Sequence, residues 1–426
     1  MQRITIDKRL WRADRVAAWR LCMGCGACKW ACPVSAISLC DIVDKGIRPI
    51  VDESLCQKCG RCVDVCPGIK LAHGEPSKGC IEELISNWGP ILQLQEGFAT
   101  DKEIRFQGSS GGAATAIALW AVEKGGFAGV LHIKVDPNDP IRNIPTFSRT
   151  RADLMQTVGS RYAPAAPCQD FDQIKQADGP CVFIGKPCDC AALRKACKMD
   201  ADLGARVGLI VSIFCAGTPT TGGTLVILQA LKVEYPAQVI SFRYRGHGWP
   251  GATMAVVRDQ KTIDRIKAEC RQYSMSYAKA WGDILTKHGQ LRCRLCPDKT
   301  GEFADISLGD PWYREVQKDP GRSLILIRSR IGKKIWEVLQ DHGYLEIEST
   351  IWNRLPDSQR SLYQGRCALW GRILMMKIWM IPVPVLSGFN LRENWKNLPL
   401  RQKVKTLSGT VRRIIQRNWV NPERGD

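Results

Sequence analysis

Two cysteine runs with the same spacing lie near the N-terminus and constrain the fold more than any other feature of the chain. The first is CMGCGACKWACP (residues 22–33) and the second is CQKCGRCVDVCP (residues 56–67). Each is the C-x2-C-x2-C-x3-C-P run of two-cluster ferredoxins, in which the fourth cysteine ligates the other run's 4Fe-4S cluster. The spacing therefore predicts one cluster on Cys22, Cys25, Cys28 and Cys66, and a second on Cys56, Cys59, Cys62 and Cys32.

Zinc is the alternative for cysteine pairs of this kind, but two complete four-cysteine runs favour iron–sulfur clusters. The 426-residue chain has 20 cysteines, and its N-terminus has no apolar segment typical of a secretion signal. A reduced environment suits such thiols. We expect a cytoplasmic protein, which an amphipathic C-terminal tail would bring to the inner face of the membrane.

The chain is strongly basic, with 61 Lys and Arg against 42 Asp and Glu, a formal net charge of +19. A basic surface attracts any polyanion, so the charge alone does not select a partner. Acidic electron carriers, phosphorylated cofactors and anionic lipids all fit, and nucleic acid is disfavoured.

Behind the cysteine runs, apolar segments alternate with helix-like segments, which predicts an α/β domain with a mainly parallel sheet. Three loops are expected at one edge of that sheet: QGSSGG (107–112) before a helix over 113–123, GKPCDC (185–190) before a helix over 191–197, and CAGTPT (215–220) before a helix over 223–231. Helix N-termini suit phosphate groups, and ligands bind at the carboxyl ends of parallel strands. The loops are therefore candidate walls of one pocket, with Asp189 as a helix cap.

A basic and aromatic loop, FRYRGHGWPG (242–251), adds groups that suit a planar anionic ligand. Guanidinium groups bind phosphate or carboxylate, and Tyr244 or Trp249 can stack on a ring. His247 can move a proton near neutral pH, although a lone histidine is more often structural. Lys186 of the GKPCDC loop is a candidate ligand-binding residue of the pocket. The alternative is an ordinary solvated lysine on the surface. Cys293 and Cys296 form a CxxC pair that is free, redox-active or part of a cluster.

Six motifs in order resemble the beta-subunit family of coenzyme F420 hydrogenases and dehydrogenases, which includes 7-hydroxymethyl chlorophyll a reductase. They are GSSGG, VGSRYAP (158–164), FIGKPCD, FCAGTP, FRYRGHGWPG and CRLCPD with EFADISLGD (293–310). The resemblance implies an iron–sulfur flavoprotein with FAD in the large domain, and coenzyme F420 is a second candidate cofactor. The two full cysteine runs disfavour chlorophyll chemistry.

The resemblance also implies site residues. Arg245 and Lys186 are assigned to catalysis, and His247 joins them because of its own proton-transfer chemistry. Those assigned to cofactor binding are Ser109, Ser110, Gly111, Arg161, Tyr162, Pro187, Cys188 and Asp310.

We expect a small α+β domain of the bacterial ferredoxin type over residues 13–80, a flavin-binding domain over 90–345 and a basic tail over 346–426. The tail's apolar stretch (368–389) is interrupted by Arg372, Lys377, Pro382 and Pro384, so it is a poor membrane span. A packed helix is slightly favoured over an amphipathic membrane contact.

The favoured function is an oxidoreductase that takes electrons from a ferredoxin or other carrier through two clusters and FAD to reduce an unidentified organic substrate. The alternatives are a non-catalytic electron-transfer subunit or an F420-oxidising subunit of a larger complex.

Overall fold

A computed structural model describes residues 6–234, 236–258, 270–315 and 319–423. The strands are β1 Ile37–Ile42, β2 Gly46–Val51, β3 Lys70–Ala72, β4 Gln93–Ala99, β5 Gly129–Asp136, β6 Asp139–Ser148, β7 Cys181–Gly185, β8 Val207–Ile213, β9 Val239–Arg243, β10 Ala252–Arg258, β11 Cys270–Ser276, β12 Ile306–Gly309, β13 Ser323–Ile327, β14 Leu345–Ser349 and β15 Val385–Ser387.

The α-helices are α1 Ala13–Ala18, α2 Ala27–Trp30, α3 Arg61–Asp64, α4 Glu82–Trp88, α5 Lys102–Gln107, α6 Ala113–Glu123, α7 Arg151–Met155, α8 Asp172–Lys175, α9 Pro187–Met199, α10 Ala201–Arg206, α11 Thr221–Ala230, α12 Leu291–Arg294, α13 Arg330–Gln340, α14 Arg354–Ser358, α15 Arg360–Cys367, α16 Leu369–Ile378, α17 Leu391–Lys396 and α18 Leu400–Gln416. Short 3-10 turns lie at Lys8–Leu10, Pro167–Asp170, Pro236–Gln238 and Leu285–His288, and a π-helix lies at Ala278–Ile284.

An eight-stranded sheet forms the centre of the molecule, in the order β14-β4-β13-β12-β8-β7-β5-β6. The four inner strands β12, β8, β7 and β5 pair in parallel. The outer pairings, β14 with β4, β4 with β13, β13 with β12 and β5 with β6, are antiparallel. The α/β class is as predicted, while the sheet is mixed: its parallel part is the four strands that border the candidate site.

Alternate residues of the inner strands enter different cores, as expected for a sheet covered on both faces. Val182 and Leu209 pack with α6 and α13 on one face, whereas Phe183 and Ile210 pack with α9 on the other. Ala27, Ala31 and Val65 of the cysteine-run region belong to this second core. The region therefore packs directly on the sheet domain.

The C-terminal segment also packs into the body of the molecule. Strand β15 pairs in parallel with β3, just after the second cysteine run. Leu369 and Met376 of α16 and Ile414 of α18 are buried in a core with Leu21 and Ile69. In the described part of the chain, no helix combines the length and apolar character needed to cross a bilayer.

Candidate functional site

The eight cysteines of the two runs form two groups of thiols. Cys66 lines one small cavity together with Cys22, Cys25 and Cys28. Burial, followed by the neighbouring Cys25 and Cys22 thiols, raises the pKa of Cys66 to about 12. In the other group, burial raises the pKa of Cys62, and the nearby Cys59, Cys56 and Cys32 thiols act in the same direction. The fourth cysteine of each run thus lies with the other run, as crossed ligation requires, although ligation itself stays a prediction.

Glycine gives both runs the same local geometry. Gly26 and Gly60 have φ angles of +88° and +80° and cap helices α2 and α3, which carry the third cysteine of each run. This left-handed conformation is strained for other residues, so glycine lets each loop turn tightly around its thiols. Among the described residues, no three His, Cys, Asp or Glu side chains are placed to hold a single metal ion.

A cavity of about 670 Å³ opens at the carboxyl ends of the parallel strands. All three predicted loops line it, through Gly108, Lys186 and Cys215. Of the other predicted site residues, Ser109, Ser110, Arg161, Tyr162, Arg245 and Asp310 also line it. Gly111, Pro187, Cys188 and His247 do not, so the structure brings most, but not all, of the predicted residues to one site.

Arg245 is held by protein groups rather than left open for a ligand. Its side chain is 2% exposed, and two of its nitrogens bind the carboxylate of Asp310 at 2.7 and 3.1 Å. It also donates to the Tyr162 hydroxyl and the Pro250 carbonyl, and Trp249 donates to Asp310. Although burial disfavours the charge, Asp310 outweighs it and raises the pKa of Arg245. The pair therefore fixes the wall of the cavity, and the predicted anion contact is already occupied by Asp310.

We expect Arg245→Ala to destabilise the protein strongly, since it leaves the Asp310 carboxylate with no cation. Removing one partner of a buried ion pair costs about 3–5 kcal/mol. Urea unfolding of the holoprotein measures this free energy. Arg360→Ala is the matched control, because Arg360 lines the same cavity but is 78% exposed, and such changes stay within about 0.5 kcal/mol. Equal stability of the two variants would contradict the structural role of the pair.

Lys186 is not a solvated surface lysine. Its ammonium lies 2.6 Å from the Asp189 carboxylate, and its side chain is 16% exposed. Burial favours the neutral amine, but the Asp189 charge outweighs burial and raises the pKa of Lys186. Helix α9 begins at Pro187 with Lys186 as its cap, and Asp189, three residues on, accepts from the Lys186 backbone N–H. The prediction of Asp189 as the cap was therefore wrong, and Pro187 at the first helical position is the signal that marks the true start.

Arg161 contributes positive charge to the cavity. Its guanidinium donates to the Asn143 side chain and to the carbonyls of Phe242, Pro140 and Arg142, all of them uncharged acceptors. Burial lowers its pKa from the ordinary value, as expected when no carboxylate is hydrogen-bonded to it. An anionic group in the cavity would supply the missing countercharge.

The QGSSGG loop leads into α6, which spans Ala113–Glu123 as predicted. Ser109 accepts a hydrogen bond from the Ser160 backbone N–H at 2.6 Å, and Ser110 donates to the Arg322 carbonyl. A side chain at Gly111 would lie 2.7 Å from the Gly97 carbonyl oxygen, so the loop packs tightly on β4. These contacts hold the loop beside the cavity.

His247 lies outside the cavity. Its Nε2 lies 2.7 Å from the Arg243 guanidinium, and its ring packs against Phe106. Tyr244 is buried and bonded to Thr224, so it does not face the cavity either. Trp249 is not among the residues that line the cavity. The Phe, Tyr and Trp residues that do so are Tyr162, Phe214, Tyr277, Trp281 and Trp312.

A second group of thiols borders the cavity. The motifs had not indicated that these cysteines come together. Cys188 lies in the first turn of α9, Cys215 follows β8, and Cys293 and Cys296 precede β12. Burial, followed by the Cys293 thiol, raises the pKa of Cys215 to about 12, and Cys296 acts in the same direction. Burial raises the pKa of Cys188, to which Cys215 and Cys296 also contribute. We call these four residues the thiol quartet.

The quartet lies between the first cysteine run and the cavity. The backbone N–H of Cys168 donates to the Cys25 carbonyl at 3.0 Å, and the Cys168 thiol lies 3.7 Å from the Asp189 carbonyl. Asp189 directly follows Cys188 of the quartet, and Cys215 of the quartet lines the cavity. The Cys25 and Cys168 thiols are therefore neighbours, and Cys168 contacts the residue that follows Cys188, so these residues connect the first run to the quartet and the cavity.

The C-terminal segment also contributes residues to the site, which no sequence motif had indicated. Ser358 and Gln359 line the cavity, and both donate to the Asp310 carbonyl at 2.7 Å. His132 of β5 is another cavity residue, bonded to Ser148, and burial lowers its pKa to about 4. It is therefore neutral at pH 7.

The fold and these thiols define an iron–sulfur oxidoreductase. Residues 94–171 and 180–351 match the N-terminal and C-terminal parts of the coenzyme F420 hydrogenase/dehydrogenase beta subunit, and residues 21–68 match a 4Fe-4S dicluster domain. The chain belongs to this beta-subunit family.

Two curated relatives and one solved structure illustrate the similarity. An uncharacterized protein of Methanocaldococcus jannaschii is 23% identical over 81% of this chain and 92% of that protein. The coenzyme F420 hydrogenase subunit beta of Methanosarcina barkeri is 23% identical over 58% of this chain and 78% of that protein. A chain of the F420-reducing [NiFe] hydrogenase complex from Methanosarcina barkeri has the same fold, with a TM-score of 0.52 at 19% identity over 68% of this chain and 94% of that chain.

Proposed function

We propose that this chain is an iron–sulfur electron-transfer subunit of a larger oxidoreductase, carrying electrons between two 4Fe-4S clusters and a cofactor in the cavity. The observation that carries the proposal is the series of thiols from the first cysteine run through Cys168 and the quartet to the cavity wall at Cys215. With clusters bound, such a series would bring redox groups close to one another.

The cysteine runs fit the clusters that we assign to them. Thiolate is the ligand that 4Fe-4S clusters need, and four thiols of the first group surround one small cavity. In the quartet, Cys188, Cys215, Cys293 and Cys296 offer the same donor set for a further cluster. Lys186 beside Cys188, and Lys299 beside Cys215, would offset the negative charge of the thiolates.

The cavity suits a flavin, and we propose FAD as its occupant. Aromatic residues line one side for stacking on a planar ring, and Arg161 faces it with no carboxylate hydrogen-bonded. A flavin exchanges electrons singly or in pairs, which would link the clusters to a hydride carrier such as coenzyme F420. The chain's own contribution is to position this group: the Arg245–Asp310 pair and the QGSSGG loop hold the walls fixed.

The electron-transfer subunit is favoured over a free-standing reductase of an organic substrate. The Methanosarcina barkeri relative is the beta subunit of a coenzyme F420 hydrogenase, so it is one part of a larger assembly. Turnover by the isolated chain separates the two functions. An electron-transfer subunit should pass electrons from dithionite to coenzyme F420 or a dye, and should act on an organic substrate only as part of its complex.

We expect the anaerobically purified chain to contain about eight iron and eight acid-labile sulfide for two clusters, and about twelve of each if the quartet is loaded. Metal analysis and released flavin, measured on the same sample, test the cofactor assignments separately. Stoichiometric zinc with little iron would refute the clusters. A chain loaded with iron but free of flavin, even after reconstitution with FAD, would refute the flavin alone.

A further inference from the structure

Four arginines come together on the face formed by α12, α16 and α18, and we call them the arginine cluster. They are Arg294, Arg372, Arg413 and Arg417. Arg372 donates to the Arg294 carbonyl at 2.8 Å, and Arg413 donates to the Gly409 carbonyl of its own helix at 2.9 Å. Burial, followed by the neighbouring Arg294 and Arg413 charges, lowers the pKa of Arg372 to about 10. Leu295, Met376 and Ile414 are buried in one core, which packs the three segments that carry these arginines against one another.

No carboxylate neutralises this cluster among the residues that the structure describes. None of the four guanidinium groups has an ion-pair partner there, whereas the arginines at positions 12, 20, 245 and 366 each pair with a carboxylate. Glu423, the next acidic residue along the chain after Arg417, pairs with Arg20 at 2.9 Å. Like charges held together destabilise one another, so a bound anionic partner would relieve this repulsion.

The position of the cluster relates it to the redox groups. Arg294 directly follows Cys293 of the thiol quartet. Leu291 of the same short helix and Leu295, the residue after the helix, pack in the core that contains Leu21 and Ile69, next to the two cysteine runs. A protein bound at the arginine cluster would thus lie over the part of the chain where the quartet and the first run meet.

We propose that the arginine cluster is the docking surface for an acidic electron-carrier protein that exchanges electrons with the thiol-bound centres. The inference rests on the proposed function and adds the place where the carrier binds. In the exchange, the reduced carrier gives up one electron and the nearest oxidised iron–sulfur centre of this chain gains it; no bond forms and no proton moves. Guanidinium groups held partly buried between helices suit carboxylate pairs on a protein better than diffuse lipid charge.

The test is the rate at which a reduced acidic ferredoxin reduces the loaded full-length chain, followed anaerobically by stopped-flow absorbance. Charge complementarity speeds association by a factor of about 10 to 1,000 at low salt. We therefore expect Arg413→Glu/Arg417→Glu to slow ferredoxin reduction at least about tenfold at low salt. The difference should shrink at high salt, where exposed charges are screened. Reduction by dithionite and the iron content should stay unchanged.

The matched control is Arg401→Glu/Lys405→Glu, the same change in charge on the exposed first turns of the same helix. It should slow ferredoxin reduction much less, because it lies far from Arg294 along α18. Arg413→Gln/Arg417→Gln, which removes charge without reversing it, should give an intermediate rate and guards against a folding defect of the glutamate variant.

Three outcomes are informative. Equal slowing by both glutamate variants would show that only net charge matters and would overturn the docking surface. An unchanged ferredoxin rate, together with lost binding to phosphatidylglycerol vesicles, would assign the cluster to a membrane surface and also overturn the proposal. Failure of dithionite to reduce any centre in the unmodified chain would instead refute the proposed function, so the two failures are distinguishable.

Discussion

Replacing Cys66 with serine should cost the chain the cluster built on the first cysteine run and leave the second cluster in place. Cys66 belongs to the second run by sequence, but its thiol lines the cavity formed by Cys22, Cys25 and Cys28. A serine hydroxyl is a poor replacement for a thiolate ligand, and a cubane cluster needs four ligands. We therefore expect a loss of about four iron atoms per chain, measured by metal analysis after anaerobic purification.

Two double variants decide whether ligation is crossed. Cys59→Ser/Cys66→Ser combines one ligand of each proposed cluster and should lose about eight iron atoms. Cys25→Ser/Cys66→Ser affects one proposed cluster twice and should lose about four. If ligation were not crossed, the two results would be exchanged. Cys80→Ser is the control, since Cys80 is buried and lies outside both runs, and its iron content should match the wild type.

Local patterns in the sequence predicted local structure well. Helix α6 follows the QGSSGG loop over the residues expected, and strands β7 and β8 directly precede the other two predicted loops. An Ala-rich run after a Gly/Ser turn and short apolar runs before loops depend on neighbours along the chain. The cysteine runs are local as well, since the spacing within each run positions three thiols.

Contacts between distant segments were the part that the sequence did not predict. Arg245 was expected to face a ligand, but its carboxylate partner, Asp310, lies 65 residues further along the chain. The thiol quartet takes Cys188 and Cys215 from loops after adjacent parallel strands, and takes Cys293 and Cys296 from before β12. Only the strand order β12-β8-β7 brings these segments together. A search for cysteines just after successive predicted strands would have found two of the four.

The contacts of the C-terminal segment were also not predicted, because charged residues and prolines interrupt its apolar stretch. From the sequence, residues 346–426 were expected to form a basic tail, with a packed helix slightly favoured over a membrane contact, but the partners of that helix were not predicted. In the structure, Phe389 packs on His73 and Phe303, and Arg366 pairs with the buried carboxylate of Glu302. Burial opposes this charge, but Arg366 and His73 outweigh it and lower the pKa of Glu302 to about 2. The segment therefore joins the cysteine-run region to the sheet domain.

Truncation after Gly365 should abolish stable folding of the cysteine-run region and most of the iron content. The truncation removes five residues of the core that also contains Leu21 and Ile69: Leu369, Met376, Ile381, Ile414 and Trp419. Each buried apolar side chain of this size stabilises a fold by about 1.5–3 kcal/mol. Their summed loss of about 7–15 kcal/mol matches the whole stability of a typical domain. It also leaves Glu302 without Arg366.

Soluble yield, iron content and thermal unfolding of the truncated chain measure this effect. Truncation after Pro422 is the matched control, since it keeps Trp419. Among the described residues it removes only Glu423, which pairs with Arg20 and Lys45 and donates its backbone N–H to the Ala18 carbonyl. Each such contact contributes about 1 kcal/mol. We expect that shorter truncation to retain its iron and to unfold near the wild-type temperature. A chain ending at Gly365 that remained soluble with about eight iron atoms would show instead that the segment is dispensable for folding, and its basic, partly apolar surface would then be explained by contact with a membrane or a partner.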